Sequence, residues 1–181
     1  SEYNSGAVSE ELAAMNRELE ELIKKHSSKV KVIGVGGAGG NTLSRMREIG
    51  IKGGEFIAAN TDAQDLLITN ADRKILLGKE ISKGMGAGSD PQIGAAAAKE
   101  SQQEIKMKLD GADMVFVTCG LGGGTGSGAA PIIAEIARSQ KSLTIGVVTL
   151  PFTVEGTKRM ENAVDALERL ERSVDTLIVI P

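Results

Sequence analysis

The feature that most constrains the fold of this chain is a run of glycines, GLGGGTGSG, at residues 120–128. An apolar segment predicted to be a strand (114–119) precedes it, and a segment predicted to be a helix (129–138) follows without a gap. A flexible linker would not be flanked in this way, whereas ligand-binding turns of α/β proteins are. Because glycine has no Cβ, successive backbone N–H groups can converge on one anion at the positive end of a helix. The run therefore predicts a phosphate-binding turn.

A second glycine turn follows a second predicted strand near the start of the chain. The apolar run at 30–35 ends in GVGGAGGN (34–41), which opens a helix predicted to reach Ile49. Further strands are predicted at 55–60, 74–77, 143–150 and 176–180, and further helices from Ala63, at 91–109 and at 157–172. Alternating short apolar strands and helices predict an α/β fold, a Rossmann-like doubly wound parallel sheet of about six strands. Right-handed crossovers would bring the turns after the strands to one rim.

The first 28 residues are predicted to form an amino-terminal extension, and residues 29–181 the ligand-binding domain. Apolar residues recur at helical spacing between Ser9 and His26, which predicts an amphipathic helix. Docking of this helix on its own domain and binding of a partner both remain open. Residues before Ser9 are expected to be disordered.

Composition excludes several classes of function. The formal net charge is −3 and aromatic residues make up 2% of the chain, so neither a basic surface nor a stacking platform for nucleic acid is expected. No apolar stretch is long enough for a membrane span, so direct membrane insertion is not expected. One cysteine cannot form an internal disulfide, and a cytoplasmic location is therefore expected.

Two common nucleotide-binding motifs fit poorly. A P-loop requires Gly-Lys followed by Ser or Thr, but the pair at 78–79 continues with Glu80. A dinucleotide-binding turn, GxGxxG, is present at 34–39, and a dinucleotide-dependent oxidoreductase is therefore one alternative. That fold needs an acidic residue at the end of the next strand, which here ends in Asn60, with Asp62 already in the loop. It also leaves residues 120–128 unexplained.

Five motifs resemble those of the tubulin and FtsZ family of GTPases. GGGTGSG at 122–128 is the family's phosphate loop, and GGAGGN (36–41), NTDAQ (60–64), GMGAG (84–88) and PFTVEG (151–156) follow the family's order. The resemblance extends from about Lys29 to Pro181. It implies that the chain binds GTP or GDP with Mg²⁺, hydrolyses GTP, and assembles head to tail into filaments at the cytoplasmic division site together with other division proteins.

The resemblance also implies which residues bind the nucleotide. These are Gly37, Ala38, Gly39, Gly40, Asn41, Asn60, Gly86, Ala87, Gly88, Gly123, Gly124, Thr125, Gly126, Ser127, Glu155 and Arg159. Residues 37–41 would lie under the α- and β-phosphates, and residues 86–88 would order around the γ-phosphate.

Individual side chains in this set have alternative interpretations. Asn41 either contacts the base or a neighbouring loop, or it caps a helix. Glu155 would accept hydrogen bonds from the ribose and Arg159 would reach the ribose or base; the alternative is a surface ion pair between them. Asp62 is a candidate to hold Mg²⁺ through water. Cys119 is expected to be a buried residue without a chemical role.

No carboxylate in the sequence is an obvious catalytic group for hydrolysis. The resemblance implies that acidic residues of the adjacent subunit supply this group, from segments that would follow Pro181. The chain is therefore expected to be a fragment that binds nucleotide with little or no turnover and holds no catalytic residue of its own. A regulatory nucleotide-binding module without hydrolysis is the alternative.

Overall fold

The computed structural model describes residues 5–26, 29–49 and 53–180, and its strands form one parallel sheet. The sheet order is β3-β2-β1-β4-β5-β6. The strands are β1 (Val30–Val35), β2 (Gly54–Asn60), β3 (Arg73–Leu76), β4 (Met114–Gly120), β5 (Leu143–Thr149) and β6 (Thr176–Ile180). This arrangement confirms the predicted α/β fold with a Rossmann-like parallel sheet.

Helices cover both faces of the sheet. They are α1 (Ser5–His26), α2 (Gly36–Ile49), α3 (Ala63–Ile68), α4 (Lys79–Ser82), α5 (Pro91–Glu100), α6 (Gln102–Leu109), α7 (Gly124–Ser139) and α8 (Thr157–Ser173). Alternate residues of β1 point to opposite faces. Ile33 belongs to one buried apolar cluster together with residues of α5 to α8, and Val32 belongs to a second cluster together with residues of α1 to α3. Each face therefore has its own apolar core.

The sheet register places the two glycine turns side by side. Val35, the last residue of β1, pairs with Cys119 of β4 on one side and with Ala59 of β2 on the other. Helix α2 starts directly after β1, at Gly36, and α7 starts at Gly124, after three residues that follow the end of β4. Helix α7 thus begins five residues earlier than predicted, because glycines allow the close packing that its first turn requires.

The helix predicted at 91–109 is two helices, and this prediction was wrong at Ser101. The Ser101 hydroxyl accepts a hydrogen bond from the backbone N–H of Gly78 at 2.9 Å. The neighbouring Glu100 carboxylate accepts from the N–H groups of Glu80 and Ile81 at the start of α4. These tertiary contacts coincide with the break, and helical periodicity alone contains no sign of them.

The amino-terminal helix α1 packs on its own domain. Met15 and Leu19 are buried in the same core cluster as Val32 of the sheet, which favours docking over partner binding. The helix starts at Ser5, so the expected disorder before Ser9 was wrong for residues 5–8. Residues 1–4, 27 and 28 of the predicted extension, and Pro181 at the other end, lie outside the described residues. Within the described ranges, no helix is long and apolar enough to cross a bilayer.

Candidate functional site

The two glycine turns meet in one cleft of about 610 Å³ at the carboxyl edge of the sheet. A Cβ built on Gly36, at the start of α2, would lie 3.3 Å from the backbone nitrogen of Gly126 in α7. The cleft is lined by Val35, Gly36, Gly37, Ala38, Asp65, Gly88, Gly120, Leu121, Gly123, Gly124, Thr125, Gly126, Thr149, Leu150, Pro151, Phe152, Glu155 and Arg159. Two helix N-termini therefore border the same cleft, and both favour anions.

Glycine is required in the turn after β4 for two different reasons. Gly122 has φ of 112°, a backbone conformation that side chains disfavour, and a Cβ there would lie 3.0 Å from the carbonyl oxygen of Arg159. Gly126 has an ordinary φ, but a Cβ there would lie 2.5 Å from the carbonyl oxygen of Gly120. The turn can therefore approach both α8 and the end of β4 only without side chains.

Nine of the predicted binding residues line this cleft. They are Gly37, Ala38, Gly88, Gly123, Gly124, Thr125, Gly126, Glu155 and Arg159. The hydroxyl oxygen of Thr125 lies 2.6 Å from that of Thr61, which is fully buried at the end of β2. This contact connects the phosphate turn to the NTDAQ segment, and no sequence motif indicates it.

The other predicted residues of the first glycine turn lie away from the main cleft. A Cβ on Gly39 would lie 2.7 Å from the carbonyl oxygen of Thr118, so Gly39 serves the packing of α2 on the sheet. Gly40 and Asn41 line a separate depression of about 160 Å³, which shares Gly37 and Asp65 with the main cleft. Asn41 is inside α2 and does not cap it, so that alternative was wrong.

The remaining predicted residues support the walls of the cleft from behind. The hydroxyl of Ser127 is buried and accepts a hydrogen bond from Gly122 N–H at 2.7 Å. Asn60 is buried, and its side chain accepts from Asp62 N–H at 3.2 Å. Gly86 donates its N–H to the Thr61 carbonyl, and Ala87 is buried against Gly124. These residues shape the site without lining it.

Glu155 and Arg159 both line the cleft and also contact each other. Their side chains form an ion pair with 3.4 Å between Arg159 Nε and Glu155 Oε1. The second carboxylate oxygen of Glu155 accepts the N–H of Phe152 at 2.6 Å, which holds the PFTVEG turn closed. The two interpretations of this pair are therefore compatible, because the ion pair forms the wall of the cleft.

Asp65 and Phe152 line the cleft although sequence reasoning did not select them. Asp65 is in the first turn of α3, and its Oδ2 lies 3.5 Å from the position of a Cβ on Gly37. Phe152 keeps 67% of its surface exposed at the mouth of the cleft. Asp65 directly follows the NTDAQ motif, and Phe152 belongs to the PFTVEG motif. Only the fold shows that these two side chains reach the cleft.

The acidic and thiol groups near the site have defined local roles. Asp62 caps α3, because its Oδ1 accepts the N–H of Asp65 at 3.0 Å. In the parts of the chain described, no group of three or more His, Cys, Asp or Glu side chains could hold a metal. Burial raises the pKa of the Cys119 thiol to about 12, so it stays protonated, which confirms that Cys119 is a packed residue.

Comparison with known proteins agrees with this geometry. Residues 29–181 match the family described as "Tubulin/FtsZ family, GTPase domain". The chain is 59% identical over 167 residues to cell division protein FtsZ 1 of Thermococcus kodakarensis, which covers 92% of this chain and 45% of that protein. It is 53% identical over 171 residues to cell division protein FtsZ 1 of Methanocaldococcus jannaschii, with 94% and 47% covered. The chain thus spans about half the length of these relatives.

Solved structures show the same similarity. The empty FtsZ dimer of M. jannaschii superimposes with a TM-score of 0.83 at 53% identity, over 92% of this chain and 49% of that one. CetZ2 of Haloferax volcanii, solved as a GTPγS-bound protofilament, gives a TM-score of 0.76 at 33% identity, over 84% and 49%. By sequence and by fold, the chain therefore belongs to the tubulin/FtsZ family, whose GTPase domain occupies residues 29–181.

Proposed function

We propose that the cleft binds a guanine nucleotide, GTP or GDP, and that the chain is the GTP-binding domain of a cell-division GTPase. The observation that carries this proposal is the convergence of the two glycine turns, with the would-be Cβ of Gly36 only 3.3 Å from Gly126 N. Two helix N-termini that face one cleft provide unpaired N–H groups and positive partial charge for a polyphosphate. Family membership and the GTPγS-bound CetZ2 relative support guanosine as the nucleoside.

In this proposal the phosphates bind to backbone groups and the nucleoside lies toward α8. Gly37, Ala38 and the residues 123–126 would contact the phosphates directly, while residues 86–88 would close on the terminal phosphate. Glu155 would accept hydrogen bonds from the ribose hydroxyls, and Arg159 would add positive charge at the nucleoside end. Gly39, Gly40, Asn41, Asn60 and Ser127 would act by holding the walls in place.

We propose that Mg²⁺ binds with the nucleotide and not on its own. Mg²⁺ usually keeps several waters and takes one or two carboxylates together with substrate phosphates. Asp65 on the cleft wall and Asp62 behind it offer two carboxylates for such a hydrated ion, which fits this chemistry. When bound, the ion would neutralise charge on the phosphate oxygens.

We propose that hydrolysis is completed by an acidic residue of a neighbouring copy in a head-to-tail filament. Within the described part of the chain, Asp65 and Glu155 are the carboxylates on the cleft wall, and Glu155 is held by Phe152 and Arg159. The relatives are named cell division proteins, and one solved relative is a dimer and another a protofilament. A place in the cytoplasmic division machinery, beside other division proteins, belongs to the same proposal.

Exposed apolar side chains near the cleft support self-association. Ile68, Met85 and Phe152 expose 83%, 82% and 67% of their surfaces. Ile68 lines the depression beside the cleft, Met85 lies in the GMGAG turn, and Phe152 lines the cleft itself. This proposal assigns these exposed side chains to the contact with a neighbouring copy.

Nucleotide titration by calorimetry, together with phosphate release, tests the proposal. The chain is expected to bind GDP and GTP in preference to ATP, and to release little phosphate at low protein concentration. Equal affinity for ATP would contradict the proposed guanine specificity. Robust phosphate release that does not depend on protein concentration would contradict completion of the site by a neighbour and would place the catalytic group in this chain.

A further inference from the structure

Asn162 of α8 connects two loops that are distant in sequence. Its side chain is buried, and its Nδ2 donates to the carbonyl of Ser89 at 3.2 Å and to the carbonyl of Gly122 at 3.3 Å. A side-chain amide has two N–H donors, so both are used in these contacts. Neither the glycine motifs nor the composition singled out this residue.

The Ser89 carbonyl belongs to a loop whose own sequence does not fix its shape. Gly84, Gly86 and Gly88 all have positive φ, of 75°, 85° and 60°, so the loop backbone has wide conformational freedom. The first half of the loop is held by Gly86 N–H, which donates to the Thr61 carbonyl at 3.1 Å. The bond from Asn162 to Ser89 holds the second half, next to Gly88 in the cleft wall.

The Gly122 carbonyl belongs to the turn before α7, whose residues 123–126 line the cleft beside Gly88. Gly122 starts the turn that leads into α7, and its N–H is already held by the Ser127 hydroxyl. Asn162 holds the other side of the same residue through the carbonyl. One amide therefore fixes the spacing between the wall at Gly88 and the turn at 123–126. A Cβ on Gly124 would lie 2.7 Å from the Gly88 carbonyl oxygen, so these walls are already close.

We propose that Asn162 is a positioning residue that sets the preference of the cleft for a triphosphate over a diphosphate. The inference rests on the proposed function, namely that the cleft binds guanine nucleotide. A diphosphate can bind to the two glycine turns at the starts of α2 and α7, whereas an additional terminal phosphate needs the wall at Gly88 at the correct distance. Loss of the Asn162 amide frees that wall. The affinity for the triphosphate is therefore expected to fall more than the affinity for the diphosphate.

Calorimetry with GTPγS and GDP tests this preference on the 181-residue chain. Asn162→Ala removes both donors, and Asn162→Asp keeps the size of the side chain but turns acceptors toward two carbonyl oxygens. Both variants are expected to weaken GTPγS binding about tenfold and GDP binding less than about threefold, as for loss of a buried hydrogen-bonding group. Ser173→Ala is the matched control, because it removes a hydroxyl bond to Arg169 in the same helix, away from both loops.

Amide hydrogen exchange without nucleotide gives a second readout. In Asn162→Ala, the amides of residues 85–90 are expected to exchange roughly tenfold faster, with the sheet unchanged. Equal weakening of both nucleotides, no weakening, or unchanged exchange would overturn the inference. If the unmodified chain binds neither nucleotide, the proposed function fails and the triphosphate preference fails with it, while the exchange rates still report on the Asn162 contact separately.

Discussion

Replacement of Gly123 by aspartate separates ligand binding from folding. Gly123 is the residue that precedes α7, with φ of −81° and ψ of 178°, which is the usual backbone conformation for a helix N-cap. A Cβ there meets no atom within 4 Å, and the residue lines the cleft. Aspartate is among the preferred N-cap residues, so Gly123→Asp is compatible with the fold. The new carboxylate would occupy the space proposed for phosphate.

The expected loss of GDP affinity follows from the repulsion between the new carboxylate and the phosphate. Two unit charges about 4 Å apart near a protein surface repel by about 4 kcal/mol. Because each 1.4 kcal/mol is about a tenfold change in affinity, Gly123→Asp is expected to weaken GDP binding by about a thousandfold. The stability change should stay within about 1 kcal/mol, or about 2–4 °C in melting temperature for a chain of this size.

The matched control is Gly123→Asn, which has the same shape without the charge. Calorimetry with GDP and circular dichroism melting curves would be recorded for both variants. The asparagine variant is expected to keep more affinity than the aspartate variant. If Gly123→Asp binds GDP as the unmodified chain does, or if both variants lose equal affinity, phosphate does not bind next to Gly123 in the way proposed. Gly126 would be a poor choice, since a Cβ there lies 2.5 Å from Gly120 O and overpacking costs about 1–3 kcal/mol.

Three further changes test separate parts of the structure. Leu19→Ala is expected to lower the free energy of unfolding by about 2–5 kcal/mol in urea titrations without changing GDP affinity; unchanged stability would contradict the docking of α1. Arg159→Met should weaken GDP binding measurably while the melting temperature stays nearly constant, because exposed ion pairs contribute about 0–1 kcal/mol. Cys119 should resist iodoacetamide at about pH 8 until urea unfolds the chain, and rapid labelling of the folded chain would contradict its burial.

The fold was predictable because the strands and the glycine turns carry strong local signals. Short β-branched runs such as Val30–Val35 are buried on both faces, and their alternation with helices leaves few arrangements other than a parallel sheet. The break at Ser101 and the early start of α7 were missed. Both depend on contacts between distant segments, Ser101 with Gly78 and the first turn of α7 with α5, and no local pattern reports such contacts.

The site was predictable at the level of motifs and not at the level of side chains. Both glycine turns reach the cleft, and family membership removes the dinucleotide alternative. Within each motif, the sequence cannot show which residues face inward. Gly39 and Ser127 support the walls, while Asp65 and Phe152 line the cleft. Whether a residue lines the cleft or supports its wall depends on how α2, α3 and α7 are rotated against the sheet. Tertiary packing sets this rotation.

Main-chain amides of the two glycine turns are proposed to hold the phosphates of a guanine nucleotide. Two-dimensional NMR of the ¹⁵N-labelled chain, titrated with GDP and Mg²⁺ and separately with ADP and Mg²⁺, would show whether these amides contact the ligand. The largest shifts with GDP are expected on the amides of residues 36–38 and 123–126, with much smaller shifts for ADP. Shifts centred elsewhere, or equal shifts with ADP, would contradict this proposal.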